Sequence, residues 1–203
     1  MDSIVAAAER VGAWLLADEV YAGAERLTDD VTPSFWGLYD RVLAMGSLSK
    51  AYGLPGLRIG WVVGPASVVD EIWARHEYVT ISTTMLANKL AAFALSPELR
   101  PGILRRTRDY IRPGFVVLQN WIEEHGGALT MIPPQAAAIA LVCYNLEINS
   151  TKLVERLIRE KSVFVVPGDH FGLDYHLRIS YGLPPDYLRD GVDRIHQLIT
   201  SPI

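Results

Sequence analysis

Residues 47–61 read Ser-Leu-Ser-Lys-Ala-Tyr-Gly-Leu-Pro-Gly-Leu-Arg-Ile-Gly-Trp. The stretch follows the apolar run Arg41-Val42-Leu43-Ala44-Met45, which Gly46 stops, and leads into a second apolar run from Ile59 to Val63. Short unbroken apolar runs of this kind read as strands buried on both faces. Gly53, Pro55 and Gly56 mark the segment between them as a loop. Ser47, Ser49 and Lys50 follow the first of these runs.

Moving outward, Trp14-Leu15-Leu16-Ala17 is another such run and ends at Asp18-Glu19. Before it, residues 3–13 place Ile4, Val5, Ala8 and Val11 at helical spacing. Residues 22–40 hold Gly, Pro, Thr and Asp and read as a long connection. Downstream, helices are expected over 66–78, 83–95 and 100–125, the last ended by Gly126-Gly127. Then come a strand over 138–143, a helix over 150–161, strands over 163–166 and 176–181, and a helix over 186–199. This order divides the chain into a sheet-and-helix domain over 1–99, a linking helix over 100–125 and a smaller domain over 126–203. Three strands apolar on both faces want cover above, below and at both edges. The helices in this sequence are too few for that, so the first part reads like the middle of a larger sheet.

Composition narrows the function classes. Half of the 203 residues are hydrophobic and 21% are charged, as in a chain with a sizeable core. A net charge of −4 spread along the chain argues against a nucleic-acid surface. Cys143 is the single cysteine, so a reducing, cytoplasmic setting is expected. Apolar runs such as Ala136 to Tyr144 fall short of the ~20 residues a membrane span needs. The five histidines lack metal-ligand spacing, so no metal site is expected.

Three clusters carry the chemistry: Asp18-Glu19-Val20-Tyr21; Gly46-Ser47-Leu48-Ser49-Lys50 with Arg58 eight residues on; and Leu177-Arg178-Ile179-Ser180. Each alone has an ordinary explanation: a turn-capping aspartate, loop hydroxyls, a solvated lysine, an arginine paired at a strand edge. Together and in this order they resemble the fold-type I enzymes that use pyridoxal phosphate (PLP), in the aminotransferase class I/II family. Residues 47–61 are the most specific part. Val163-Phe164-Val165-Val166-Pro167-Gly168-Asp169-His170-Phe171-Gly172 and His176-Leu177-Arg178-Ile179-Ser180-Tyr181 resemble the family's small domain. The implied fold is α/β. It is part of a PLP-transferase large domain, with a mixed, mostly parallel sheet and helices, followed by a smaller α+β C-terminal domain.

The resemblance assigns roles that the residue types suit. Lys50 would hold the cofactor and, once freed, shuttle a proton, since a lysine amine kept from water can condense with an aldehyde. Asp18 would face the pyridine nitrogen, where a carboxylate keeps the ring protonated as an electron sink. Tyr21 would donate to the cofactor's phenolic oxygen. Ser47, Ser49 and Arg58 would take the phosphate, a dianion suited to hydroxyls and a guanidinium fork. Arg178 would clamp a substrate α-carboxylate, fixing orientation as well as charge. Glu19 is expected to shape its loop, and His170 and His176 to be structural.

The implied activity is amino-group transfer between an amino acid and a 2-oxo acid. A PLP-dependent lyase or cyclase of the capreomycidine-synthase-like type is the alternative, suggested by Tyr21-Ala22-Gly23-Ala24-Glu25 and Thr32-Pro33-Ser34-Phe35-Trp36-Gly37. A non-catalytic PLP-fold binding module or an inactive fragment is a further one. The family pattern also implies a preceding portion that supplies a turn against the phosphate, a ring stacked on the pyridine and an asparagine; nothing before Asp18 resembles them. A homodimer, or a partner polypeptide carrying that portion, is expected. Neither nucleic acid nor membrane is expected as a partner.

Overall fold

The computed structural model describes residues 1–200. The chain separates into two compact units, the first Met1–Thr107 and the second beginning at Arg108.

In the first unit, α1 (Asp2–Val11) buries Val5 and Ala8 and ends at Gly12, whose N–H closes on the carbonyls of Ala8 and Glu9. Strands β1 (Leu15–Asp18), β2 (Val42–Ser47) and β3 (Gly60–Val63) form a mixed sheet with β2 in the centre. β1 and β2 run parallel, with Leu15 opposite Val42 and Asp18 opposite Met45. β3 returns antiparallel, with Gly46 opposite Trp61 and Ser47 opposite Gly60. Gly46 is required here: a Cβ would lie 2.2 Å from the Trp61 ring. Helices α2 (Ala66–Thr80) and α3 (Met85–Ala94) follow, the latter capped by the Thr84 hydroxyl accepting from the Ala87 N–H at 3.3 Å.

The three strands exist as expected, and among the described residues the cover that their apolar faces call for is missing at both edges. β2 is buried at Val42 and Ala44, whereas Leu16 in β1 is 66% exposed and all four residues of β3 are exposed. The physical reason is position in the sheet: β1 and β3 are its edges, and among the described residues no strand pairs beyond either. An apolar run reports what a strand is suited to face, not what covers it.

Helix α4 (Arg100–Glu124) begins in the first unit and ends in the second. The second unit holds an antiparallel sheet of β4 (Leu129–Met131), β5 (Ile139–Tyr144), β6 (Val166–Pro167) and β7 (His176–Ser180), in the order β4-β5-β7-β6. One face, with Ala140, Val142, Leu177 and Ile179, is buried. Helix α6 (Pro185–Ile199) is amphipathic and buries Leu188, Val192, Ile195 and Leu198, at spacings of one helical turn. Helix α5 (Ser150–Arg156) starts at Asn149, whose side chain accepts from the Lys152 N–H.

Three details depart from expectation. The helix over 150–161 is α-helical only to Arg156 and finishes in a wider π turn over Leu157–Lys161. The strand over 163–166 shrinks to Val166–Pro167, because Val163 spends its N–H on the Leu157 carbonyl and Phe164 stays exposed. β4 was not expected; three residues, of which Leu129 alone is buried, leave little periodic signal. Among the described residues no helix is long and apolar enough to cross a membrane.

Candidate cofactor site

β1 and β2 run parallel, so their C-terminal ends deliver Asp18 and Ser47 to the same edge of the sheet. Side chains alternate along a strand, and Asp18 pairs with Met45, so Asp18, Met45 and Ser47 share one face. The ladder runs one step further, the Glu19 N–H donating to the Met45 carbonyl at 2.9 Å. Asp18 Oδ1 then accepts from the Val20 N–H at 3.3 Å, turning the chain toward Tyr21. The Val20 carbonyl in turn accepts from the Ala51 N–H at 3.3 Å, which joins the Tyr21 turn to the Lys50 turn.

The Lys50 turn is built on two completely buried residues, Leu48 and Ala51. Their burial leaves Lys50 itself exposed. Leu48 donates to the Ile59 carbonyl at 3.1 Å and accepts from the Leu54 N–H at 2.9 Å, so the loop closes on its own base. Ser47 Oγ donates to the Ile59 carbonyl at 3.3 Å and accepts from the Ser49 N–H at 3.0 Å. Arg58 adopts a left-handed backbone with φ of 55°, and its Nη1 donates to the Pro55 carbonyl at 3.0 Å and to Ser49 Oγ at 3.5 Å. A non-glycine residue in this region carries strain of the kind that concentrates at functional sites.

Ser47, Ser49 and Arg58 thus form a connected set of two hydroxyls and one guanidinium. Asp18, Tyr21 and Lys50 stand on the turns joined through Val20 and Ala51. The donor chemistry fits a phosphorylated pyridine aldehyde: a cradle for a dianion, a carboxylate for a ring N–H and an amine for a carbonyl carbon. Asp18 and Lys50 are both exposed in this chain.

Arg178 lies on β7 in the second unit, opposite Leu141 of β5. It is half-buried, its guanidinium carbon 5.8 Å from the centre of the Phe171 ring, a cation–π arrangement. Beside it opens a cavity of about 780 Å³ that is mostly apolar, with Ile132, Ile139, Leu141, Phe171 and Leu173 in its wall. His176 bonds through Nδ1 to the Asp174 carbonyl at 2.8 Å, and exposed His170 meets Thr151 Oγ1 at 3.3 Å.

Sequence reasoning did not single out several residues that hold these elements. Glu25 is buried and accepts from the N–H of Gly23 and from both the N–H and hydroxyl of Thr32. Glu19, by contrast, was expected to shape its loop, and it accepts from Ser34 Oγ at 2.9 Å and the Phe35 N–H at 2.8 Å. In the second unit Asp169 accepts from Asn149 and Thr151, and Asp174 from Asn149 and the Ser150 N–H. The Ser150 N–H, with help from Asn149, holds the Asp174 carboxyl at about 2. Burial pushes the nearby Tyr144 hydroxyl up, with Asp174 and Asp169 adding to it. Apart from the bond between Gly23 and Glu25, these contacts join residues at least seven apart, too distant in sequence to announce themselves.

Comparison with known proteins identifies the family. The chain is 35% identical over 165 residues to capreomycidine synthase of Streptomyces vinaceus, covering 78% of this chain and 40% of that enzyme. It is 31% identical over 208 residues to an aspartate aminotransferase of Streptomyces avermitilis, covering 96% and 50% respectively. The crystal structure of a PLP-dependent aminotransferase from Streptococcus suis superposes with a TM-score of 0.89 at 30% identity, over 98% of this chain and 51% of that one. The chain thus spans about half the length of these curated relatives. The family model for aminotransferase class I and II matches residues 1–195, and the chain belongs to that family.

Proposed function

We propose that this chain carries the lysine-bearing half of a PLP site and serves amino-group transfer between an amino acid and a 2-oxo acid. The observation that carries the reading is the junction of the Asp18–Tyr21 turn and the Ser47–Lys50 turn through the Ala51 N–H and the Val20 carbonyl. Family membership and the aminotransferase relatives support it. When bound, PLP supplies the electron sink for the bond broken at the substrate α-carbon. In this chain Ser47, Ser49 and Arg58 would hold the phosphate, and Asp18 would serve the ring nitrogen. Tyr21 would donate to the phenolic oxygen. Lys50 Nζ would anchor the aldehyde and, when free, carry the α-proton. Arg178 would take the substrate carboxylate.

The capreomycidine synthase relative favours a second reading, a lyase or cyclase that uses the same residues. Product analysis separates the two: a 2-oxo acid released from a panel of amino acids supports transfer, and a ring-closed or eliminated product supports the alternative. We further place the protein in the cytoplasm, as a homodimer or with a polypeptide that covers the β1 and β3 edges.

One experiment tests the lysine directly. The chain is mixed with PLP, reduced with borohydride and mapped by peptide mass spectrometry. The adduct is expected on Lys50, and an adduct confined to another lysine sinks the assignment.

A further inference from the structure

The residue after the Lys50-Ala51 pair is Tyr52, only 5% exposed although it carries a hydroxyl. Two arginines of α4 converge on it. Arg100 donates through Nε to the Tyr52 hydroxyl at 2.9 Å, and Arg106 donates through Nη2 to the Tyr52 backbone carbonyl at 2.8 Å. Gly53 follows with φ of 61°, a conformation that favours glycine, and a Cβ there would lie 3.1 Å from the same Arg106 Nη2. The Gly53 N–H closes back on the Lys50 carbonyl at 2.9 Å. On its other side the Tyr52 ring meets Trp61 edge-on, with centroids 6.3 Å apart. The backbone just past the lysine is therefore gripped from the helix and backed by the sheet.

We propose that Arg106, assisted by Arg100, is a positioning residue for Lys50: the first turns of α4 clamp the lysine's turn and set the direction from which its amine meets an aldehyde. This rests on the reading of Lys50 as the cofactor lysine. Bond formation needs the reacting atoms in near-attack geometry, and a displacement of about 1 Å can cost about 100-fold in rate. Hydrogen bonds from a charged guanidinium are roughly twice as strong as neutral ones. Arginine's planar fork also fixes direction, which a lysine at the same place would not. The two contacts reach the turn at different atoms, a hydroxyl and a carbonyl, so together they resist rotation as well as displacement.

The test uses the 203-residue chain as wild type, Arg106→Gln and Arg106→Lys, with exposed Arg105→Gln as the control for lost charge on the same helix. The sequence has four lysines, Lys50, Lys89, Lys152 and Lys161, so peptide mapping resolves each one. Two reagents are applied: PLP with borohydride, and trinitrobenzenesulfonate, which needs no cofactor site. In Arg106→Gln the rate of PLP labelling at Lys50 is expected to fall about tenfold, as loss of a charged hydrogen bond implies. Amide exchange at Gly53 and Leu54 rises, while melting and trinitrobenzenesulfonate labelling of the other three lysines stay as in wild type. Arg106→Lys recovers part of the rate. Unchanged exchange at Gly53 together with unchanged PLP labelling overturns the proposal. PLP labelling confined to another lysine in the wild type removes the lysine's role and the positioning claim with it, even if Gly53 exchange still responds to Arg106. If Arg106→Gln loses cooperative melting, Tyr52→Phe removes the Arg100 acceptor alone, and the same exchange readout decides.

Discussion

The Ala51 N–H lies 3.3 Å from the Val20 carbonyl, a bond between residues on turns that follow two different strands. It sets the spacing between Asp18 and Tyr21 on one side and Lys50 on the other, and it depends on the buried packing of Leu48 and Ala51. Leu48→Ala should therefore do more than lower stability by the about 2–5 kcal/mol expected of a buried leucine. Lys50 labelling by PLP should fall at temperatures where circular dichroism still shows a folded chain. Loss of labelling only in step with unfolding would separate the packing from the site.

Arg58→Gln removes the guanidinium from the Ser47–Ser49 cradle. PLP retention should drop about 10- to 100-fold, as loss of a charged hydrogen bond suggests. Retention of pyridoxal, which lacks the phosphate, should hardly change. Equal losses for both compounds would place Arg58 elsewhere than at the phosphate. Asp18→Asn has the complementary signature: labelling of Lys50 persists, and turnover of the assembled enzyme falls because a neutral amide no longer favours a protonated ring.

Arg178→Lys replaces a bidentate fork by a point charge. Amino-acid affinity of the assembled enzyme should weaken by at least tenfold while PLP labelling of Lys50 is untouched. Parallel loss of both would contradict the division of work between Arg178 and the Lys50 turn.

The second unit carries a pH dependence of its own. The rings of His125 and His196 sit with centroids 3.9 Å apart. Burial chiefly, and then His125, lowers the proton affinity of His196, against a smaller pull from Asp193. A base bound less tightly by protons when folded than when unfolded gives stability that is complete above the unfolded value of about 6.5 and is lost as pH falls below it. Denaturant unfolding followed by fluorescence of a variant in which Trp121 is the one tryptophan left should show this decline below about pH 6.5. His125→Gln should weaken the decline only in part, because burial, the larger cause, remains, whereas His196→Gln should remove it. A profile unchanged by His125→Gln would show that the pair does not couple. Asp174, held at about 2, adds a separate loss at more acid pH.

Leu16 is 66% exposed, and Trp61, Val62 and Val63 are each 37% exposed, along the two open edges of the first sheet. Open edges with apolar side chains template pairing with other chains. Sedimentation at micromolar concentration should show dimers or larger species. A monomer with cooperative melting would count against the proposed assembly.

The Lys50 stretch was legible because its chemistry is contiguous: two serines, the lysine and Arg58 fall within one loop between two apolar runs. Asp18 and Tyr21 were legible for the same reason, as a strand end followed by a turn. The Tyr52 clamp was not, since its partners lie 48 and 54 residues away and arginines on a helix surface look solvated. Glu25 was equally hidden, an acid in a polar loop that turns out to be buried beneath its own donors. Phe164 misled in the other direction. An apolar run around it reads as a strand, yet the turn that ends the preceding helix consumes the Val163 N–H and leaves the ring outside.

Glu25 also bears on the closure of the first sheet. Parallel strands need a long crossover, and closing a long loop costs entropy before any ladder bond rewards it. The carboxylate of Glu25 ties residues seven apart, and that of Glu19 ties residues sixteen apart, within the connection between β1 and β2. Each small closure shortens the loop that remains when the strands meet. With these ties in place, the loop left to close between Leu15 and Val42 is shorter than the sequence separation suggests.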